Sequence, residues 1–277
     1  MSIHDITPSP SPSAGPALEH DALDDTTRDA GSLDEQTGHG RLRRPWSWPN
    51  PHSDRATMRA AVQHGYGEPG DVLRLERVPV PSPGPREVLV RVRATSVNTP
   101  DWIVTTGRPT IQRAKAGWRT PSSPIRGTDV AGGVAELGSE VTEYRVGDEV
   151  FGSLWADTLD TGDIGTFAEF CTVPVARLAA KPSEISFTAA AASVMSGATA
   201  LVAMTETAPV GPGTRVLING ASGGVGTFAV QIANQRGAHV TGVCSGANAD
   251  LVRRLGAADL IDYSETDLAD VARRGPS

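Results

Sequence analysis

Along residues 88–93, Val88, Val90 and Val92 alternate with Leu89, Arg91 and Arg93. A period of two predicts a half-exposed strand, one face on a core and one toward water. Further β-prone runs cover 130–137, 146–151 and 167–173, separated by Gly-Ser, Gly-Asp and Gly-Thr turn signals. That spacing predicts a compact, barrel-like β module. Two irregular stretches, 98–125 and 153–165, are long enough to be read as functional loops walling a substrate cleft. They carry Trp102, Trp118 and Trp155, either as pocket lining or as ordinary loop anchors.

The pattern changes beyond the turn Gly211-Pro212-Gly213. Residues 214–219 form a short apolar run, as expected of a buried parallel strand, and Gly220-Ala221-Ser222-Gly223-Gly224-Val225-Gly226 follows at once. Val225, Phe228, Ala229, Ile232 and Ala233 then recur at helical spacing, predicting a helix that stops at Gly237. A second strand is predicted over 239–244 and a third over 259–263. Between them Asn248 caps a helix that has Leu251, Val252 and Leu255 on one face and ends at Gly256.

Strand, glycine loop and helix in this order predict a dinucleotide site. The loop must turn sharply, its amides must approach a pyrophosphate, and the helix must pack closely on the strand; a Cβ at Gly223 or Gly226 is expected to intrude. The candidate cofactor residues are Gly220, Ala221, Ser222, Gly223, Gly224, Val225 and Gly226, with Ser245 and Arg253. NAD-selective sites hold an acid about 20 residues beyond the glycines. Here the chain reads Val243-Cys244-Ser245-Gly246-Ala247-Asn248. A serine can hydrogen-bond a 2′-phosphate and Arg253 or Arg254 can supply charge, which favours NADP over NAD. The plainer alternative is that Ser245 only closes a strand.

Composition narrows the function. Of 277 residues, 25 are basic and 32 acidic, for a formal charge of -7, which argues against a dedicated nucleic-acid binder. Two cysteines, Cys171 and Cys244, lack the spacing of a disulfide framework or a zinc site and suit a reducing, cytoplasmic setting. No run is read as approaching the ~18 apolar residues of a membrane span, so no stable membrane insertion is expected. Residues 1–57 are rich in Pro, Ser, Gly and Asp and predict a disordered head. Within it Arg41, Arg43 and Arg44 adjoin Trp46 and Trp48, either a solvated linker or a contact for an anionic surface. The remainder divides into a β domain over 58–185 and an α/β domain over 186–277.

Together with "VLINGASGGVG", the segments "ATSVNTPDW" (94–102), "RGTDVAG" (126–132), "VGDEVFG" (146–152), "GTFAEFCTVP" (165–174) and "LGAADLIDY" (255–263) carry a resemblance. The chain resembles the zinc-independent quinone oxidoreductase branch of the medium-chain dehydrogenase/reductase superfamily. That resemblance implies an α/β plus β architecture, a GroES-like β-barrel domain followed by a Rossmann domain with a doubly wound parallel sheet. It also implies hydride transfer from a nicotinamide to a quinone or α,β-unsaturated carbonyl, with Asn98 facing nicotinamide and substrate and Thr199 lining the interdomain cleft. For Asn98 and Asp101 the competing reading is turn capping. Zinc relatives carry a cysteine where this chain has Asn98, and Gly-His-Glu where it has Gly127-Thr128-Asp129. No metal ligand is therefore expected.

A full dinucleotide fold has six parallel strands, and this sequence supplies three, predicting a partial Rossmann domain whose strand at 216–218 becomes a bare edge. Pairing with another chain or aggregation is expected, and homo-oligomers are admitted. Three functions compete: an NADP-dependent quinone or enone reductase, a non-catalytic dinucleotide-binding fragment or pseudoenzyme, and an interaction module working through the head.

Overall fold

The computed structural model describes residues 57–113, 117–118, 120–121, 123–155 and 165–266. The expected head, most of the 153–165 loop and the C-terminal tail lie outside the described residues. Alternation in "TMRAAVQ" turns Met58, Ala60 and Val62 inward, and Thr57–Gln63 (β1) pairs antiparallel with Leu73–Pro79 (β2), on either side of the short helix Pro69–Val72 (α1). The sequence reading had no place for this hairpin.

Glu87–Ala94 (β3), Asp129–Leu137 (β4), Glu149–Ser153 (β5), Phe170–Pro174 (β6) and Leu178–Ala180 (β7) form an antiparallel sheet in the order β6-β3-β4-β5-β7. Val88, Val90, Val130, Val134, Val150, Cys171 and Val173 make its fully buried core. The half-exposed pattern expected of β3 begins only at Arg91. Leu89 is as buried as its valine neighbours, so the first half of this inner strand is covered on both faces. A second correction concerns 98–125, which is not loop throughout: Thr99–Thr106 is a helix (α2). Pro100 sits in its first turn, where no donor is lost, and Asp101 accepts the Asn98 N–H at 2.8 Å.

Arg215–Asn219 (β8), His239–Cys244 (β9) and Asp259–Asp262 (β10) form a parallel sheet in the order β10-β9-β8. Phe187–Val202 (α3) leads toward it and continues as a π-helical turn over Ala203–Thr207. Gly224–Gln235 (α4) joins β8 to β9 and Ala249–Arg254 (α5) joins β9 to β10. Gly213, Gly237 and Gly256 take positive φ at the turns read as breaks. The buried face of α4 is Gly226, Ala229, Val230 and Ala233; of the expected stripe, Ala229 and Ala233 are buried and Phe228 and Ile232 pack against the same core, while Val225 is 40 % exposed. Gly226 lies close against the preceding loop at the start of that face.

Helix α3 corrects the expectation that no segment approaches a membrane span. Residues 187–207 span 21 residues with an 18-residue window of mean hydropathy 1.6, long and apolar enough by length and composition. Its apolarity comes from alanines interrupted by Ser, Thr and Gly, which break visible runs without lowering the mean. Only part of this helix is buried, at Ala190, Ala191 and Ala200. Ala190 and Ala191 cluster with Ala131 of the antiparallel sheet, while a Cβ on Gly197 would touch the Phe228 ring of α4 at 3.7 Å. Among the described residues β8 has a strand neighbour on one side only, and Leu217 on it is 51 % exposed. Open edges template pairing. Leu217→Lys is expected to lower the self-associated fraction in sedimentation velocity; an unchanged profile counts against edge pairing.

Candidate functional site

The turn after β8 is built around Gly220, at φ +71. The Gly223 N–H returns to the Gly220 carbonyl at 2.9 Å, and the Ala221 N–H bonds the Val243 carbonyl of β9 at 2.9 Å. Ala221 thus faces the core, with its side chain fully buried. The first helical bond of α4 is Thr227 N–H to the Gly223 carbonyl, leaving the amides of Gly224, Val225 and Gly226 at the positive end of a helix dipole. A Cβ on Gly226 would lie 2.1 Å from the Gly220 oxygen, and one on Gly223 only 3.2 Å from the same atom. The expected intrusion is therefore split. Gly226 is required by the chain's own packing, whereas at Gly223 the Gly220 carbonyl would have to give by only a few tenths of an ångström.

Ser245, at the end of β9, and Arg253, on α5, border a cavity of about 360 Å³ with Gly246, Asp262 and Glu265. Asn248 holds the N-cap position of α5 as expected but makes no side-chain cap bond. Its amide instead bonds Ser222 Oγ and Ser245 Oγ, joining the glycine loop to the strand end. Burial raises the Cys244 thiol and pushes Cys171 up to about 12, which keeps both protonated and unreactive.

The second centre lies where β4 and β5 meet α3. Asp129, fully buried at the start of β4, accepts Ser96 Oγ at 2.6 Å, Asn98 Nδ2 at 2.9 Å and the Met195 N–H of α3 at 3.2 Å, all on Oδ2. Its Oδ1 receives Thr128 Oγ1 and Ser153 Oγ, each at 3.4 Å. Asn98 is thus held by side-chain bonds, and its capping reading has a structural counterpart: its backbone starts α2 while its amide is gripped by Asp129. Beside it is a cavity of about 420 Å³ lined by Ser153, Trp155, Val194, Met195, Ala198 and Thr199. Thr199 and Trp155 line this space directly, and Asn98 adjoins its wall through Asp129. Trp102 lies on α2 and Trp118 is 70 % exposed, so neither borders the cavity. Sequence reasoning missed the role of Asp129; the signal was an acid in an apolar β-strand, which needs partners when buried.

The two centres share α3. A Cβ on Gly224 would lie 2.9 Å from Ser196 Oγ, and Ser196 is one helical turn from Thr199. Close by, burial lifts Asp101 to about 6, the Asp129 charge adding to the rise, while the amides of Asn98 and Gly127 oppose it. A raised carboxyl binds its proton more tightly folded than unfolded, so its contribution to stability falls as pH rises from about 4 to about 6. Asp101→Asn, which keeps an acceptor for Asn98, is expected to gain stability relative to the parent as pH rises from 4.5 to 7. Urea midpoints at the two pH values test this, and a constant difference would sink it.

A GroES-like antiparallel sheet joined to a parallel α/β unit with a glycine loop at its first turn defines the alcohol dehydrogenase superfamily. The alcohol dehydrogenase GroES-like domain matches residues 84–183, and the zinc-binding dehydrogenase family matches residues 224–274. Quinone-oxidoreductase QR1 of Triphysaria versicolor chloroplasts is 36% identical over 227 residues, 79% of this chain and 65% of that protein. The quinone oxidoreductase from Coxiella burnetii superposes with a TM-score of 0.69 at 33% identity, over 78% of this chain and 65% of that one. The Escherichia coli quinone oxidoreductase complexed with NADPH gives 0.64 at 28% identity, over 78% and 61%. The chain belongs to the quinone oxidoreductase-like branch of the medium-chain dehydrogenase/reductase superfamily, and it spans 65% of the length of the QR1 relative.

Proposed function

We propose that this chain forms the NADP-binding core of a zinc-free quinone or enone reductase. The observation that carries the reading is the glycine loop, whose Gly224 packs against Ser196 of α3, one turn from Thr199 in a cavity also lined by Trp155. When bound, the nicotinamide supplies a hydride. This chain's share is to grip the pyrophosphate on the amides of Gly224 to Gly226, to hold the Asn98 amide through Asp129, and to shape an apolar slot for the acceptor. A quinone or unsaturated carbonyl contains its own electron sink, which suits a site built for positioning. Relatives named quinone oxidoreductase and trans-enoyl reductase support that substrate class.

The donor set does not fit zinc. Asn98 offers an amide engaged with Ser96 and Asp129, and the oxygens of Asp129 already accept five hydrogen bonds. The second reading, dinucleotide binding without turnover, is favoured by the open edge of β8, beside which a nicotinamide has no wall among the described residues. Enhancement of NADPH fluorescence on titration with the full chain tests binding, and loss of NADPH absorbance with a quinone tests turnover. Binding without turnover selects the second reading, and no binding removes both.

A further inference from the structure

The glycine loop and the end of β9 are tied by a side chain that pyrophosphate binding does not require. Asn248 Nδ2 donates to Ser222 Oγ at 3.3 Å and to Ser245 Oγ at 3.2 Å, bringing two hydroxyls to one nitrogen from positions 23 residues apart in sequence. A serine hydroxyl has one proton and two lone pairs. On each serine the amide takes a lone pair, and among the described residues neither proton has an acceptor. Ser245 borders the cavity with Arg253, and Asn248 ties the Ser222 hydroxyl to Ser245 beside it. Paired donors suit a phosphate monoester, which only accepts when ionised; the ribose hydroxyl of NAD is instead held by a carboxylate acceptor. We infer that Asn248 is a specificity-determining residue, orienting the Ser222 and Ser245 hydroxyls as donors to the 2′-phosphate of NADP. This rests on the dinucleotide reading above.

The other charged groups at the rim agree with that assignment or are accounted for. Asp262 Oδ1 accepts the Ser264 amide at 2.8 Å and its hydroxyl at 2.6 Å, and these bonds hold the carboxyl below its usual range. That carboxylate is engaged in its own turn. Glu265 borders the cavity and opposes an anion, while Arg253 on the same rim offsets it. The Arg253–Asp250 contact is 3.5 Å long and largely exposed, so exchanging it for a phosphate costs little.

The test uses the adenosine half alone. Calorimetric titration of the full chain with 2′,5′-ADP and with 5′-AMP is expected to give tighter binding of 2′,5′-ADP. Asn248→Ala is expected to lower that preference by about threefold or more while leaving 5′-AMP affinity unchanged. In a Ser222→Ala, Ser245→Ala background the same change is expected to do nothing further, because the hydroxyls through which it acts are gone. An unchanged preference in Asn248→Ala, or the same drop without the serines, overturns the inference. A parent chain binding both nucleotides equally also overturns it while leaving the dinucleotide site standing. Failure to bind either removes the site and the inference together. Matching thermal melts establish that the variants are folded.

Discussion

Gly226→Ala is expected to destabilise the α/β half by roughly 3 kcal/mol or more, because its added methyl is overpacked against backbone that cannot move aside. That carbon would lie 2.1 Å from the Gly220 oxygen and 2.8 Å from the Ala221 Cα, so α4 must lift from the loop. Gly223→Val is expected to behave oppositely. At φ -79 and ψ 174 the backbone there is extended and open to any residue, and a Cβ meets only one oxygen at 3.2 Å. The variant is expected to fold at a smaller stability cost than Gly226→Ala and to lose NADPH binding by at least about tenfold, since the branched side chain stands where the pyrophosphate approaches. Circular dichroism melts and NADPH fluorescence titrations of the pair distinguish a packing glycine from a ligand glycine. Unchanged affinity in Gly223→Val would remove the case for a dinucleotide at this loop.

Asp129→Ala is expected to cost roughly 3–5 kcal/mol, on the scale of breaking a buried charged network. Removing the carboxylate strips an acceptor from Ser96, Asn98, Ser153 and the Met195 amide at once. Because the Met195 bond reaches from the antiparallel sheet to α3, the loss is expected to exceed that of a single cap and to loosen that helix. Urea denaturation measures the cost, and faster amide exchange at Met195 reports the loosened contact. A destabilisation under about 1 kcal/mol, the size of one ordinary hydrogen bond, would show that the network carries no special weight.

The secondary structure around the glycine loop was legible because its signals are local. The strands at 214–219, 239–244 and 259–263 appear within a residue of their expected bounds, since apolar runs closed by Gly or Asn need no distant partner to be recognised. Helix α2 was missed although Pro100 and Asp101 marked its start; at eight residues it is too short to display a repeating stripe. On α4 the expected stripe holds for Phe228, Ala229, Ile232 and Ala233, and only Val225, which looks like a core residue, is exposed beside the tightly packed Gly226. Asn248 was read as a cap from its type and place, yet its amide is spent on two serines outside the helix.

By itself the sequence determined the glycine loop with the strands and helices around it, because a strand, a tight turn and an amphipathic helix follow from neighbours a few residues apart, and its motifs carried the family resemblance. Only the tertiary structure decided that Asp129 is the hub behind Asn98, that α3 connects the loop to the cavity at Thr199, and that Gly223 and Gly226 do different work. Those facts depend on atoms brought together from residues 31 to 66 positions apart, as in the Asn98 and Met195 bonds to Asp129. Periodicity along a chain reports which way a side chain faces, and it carries no record of what stands opposite.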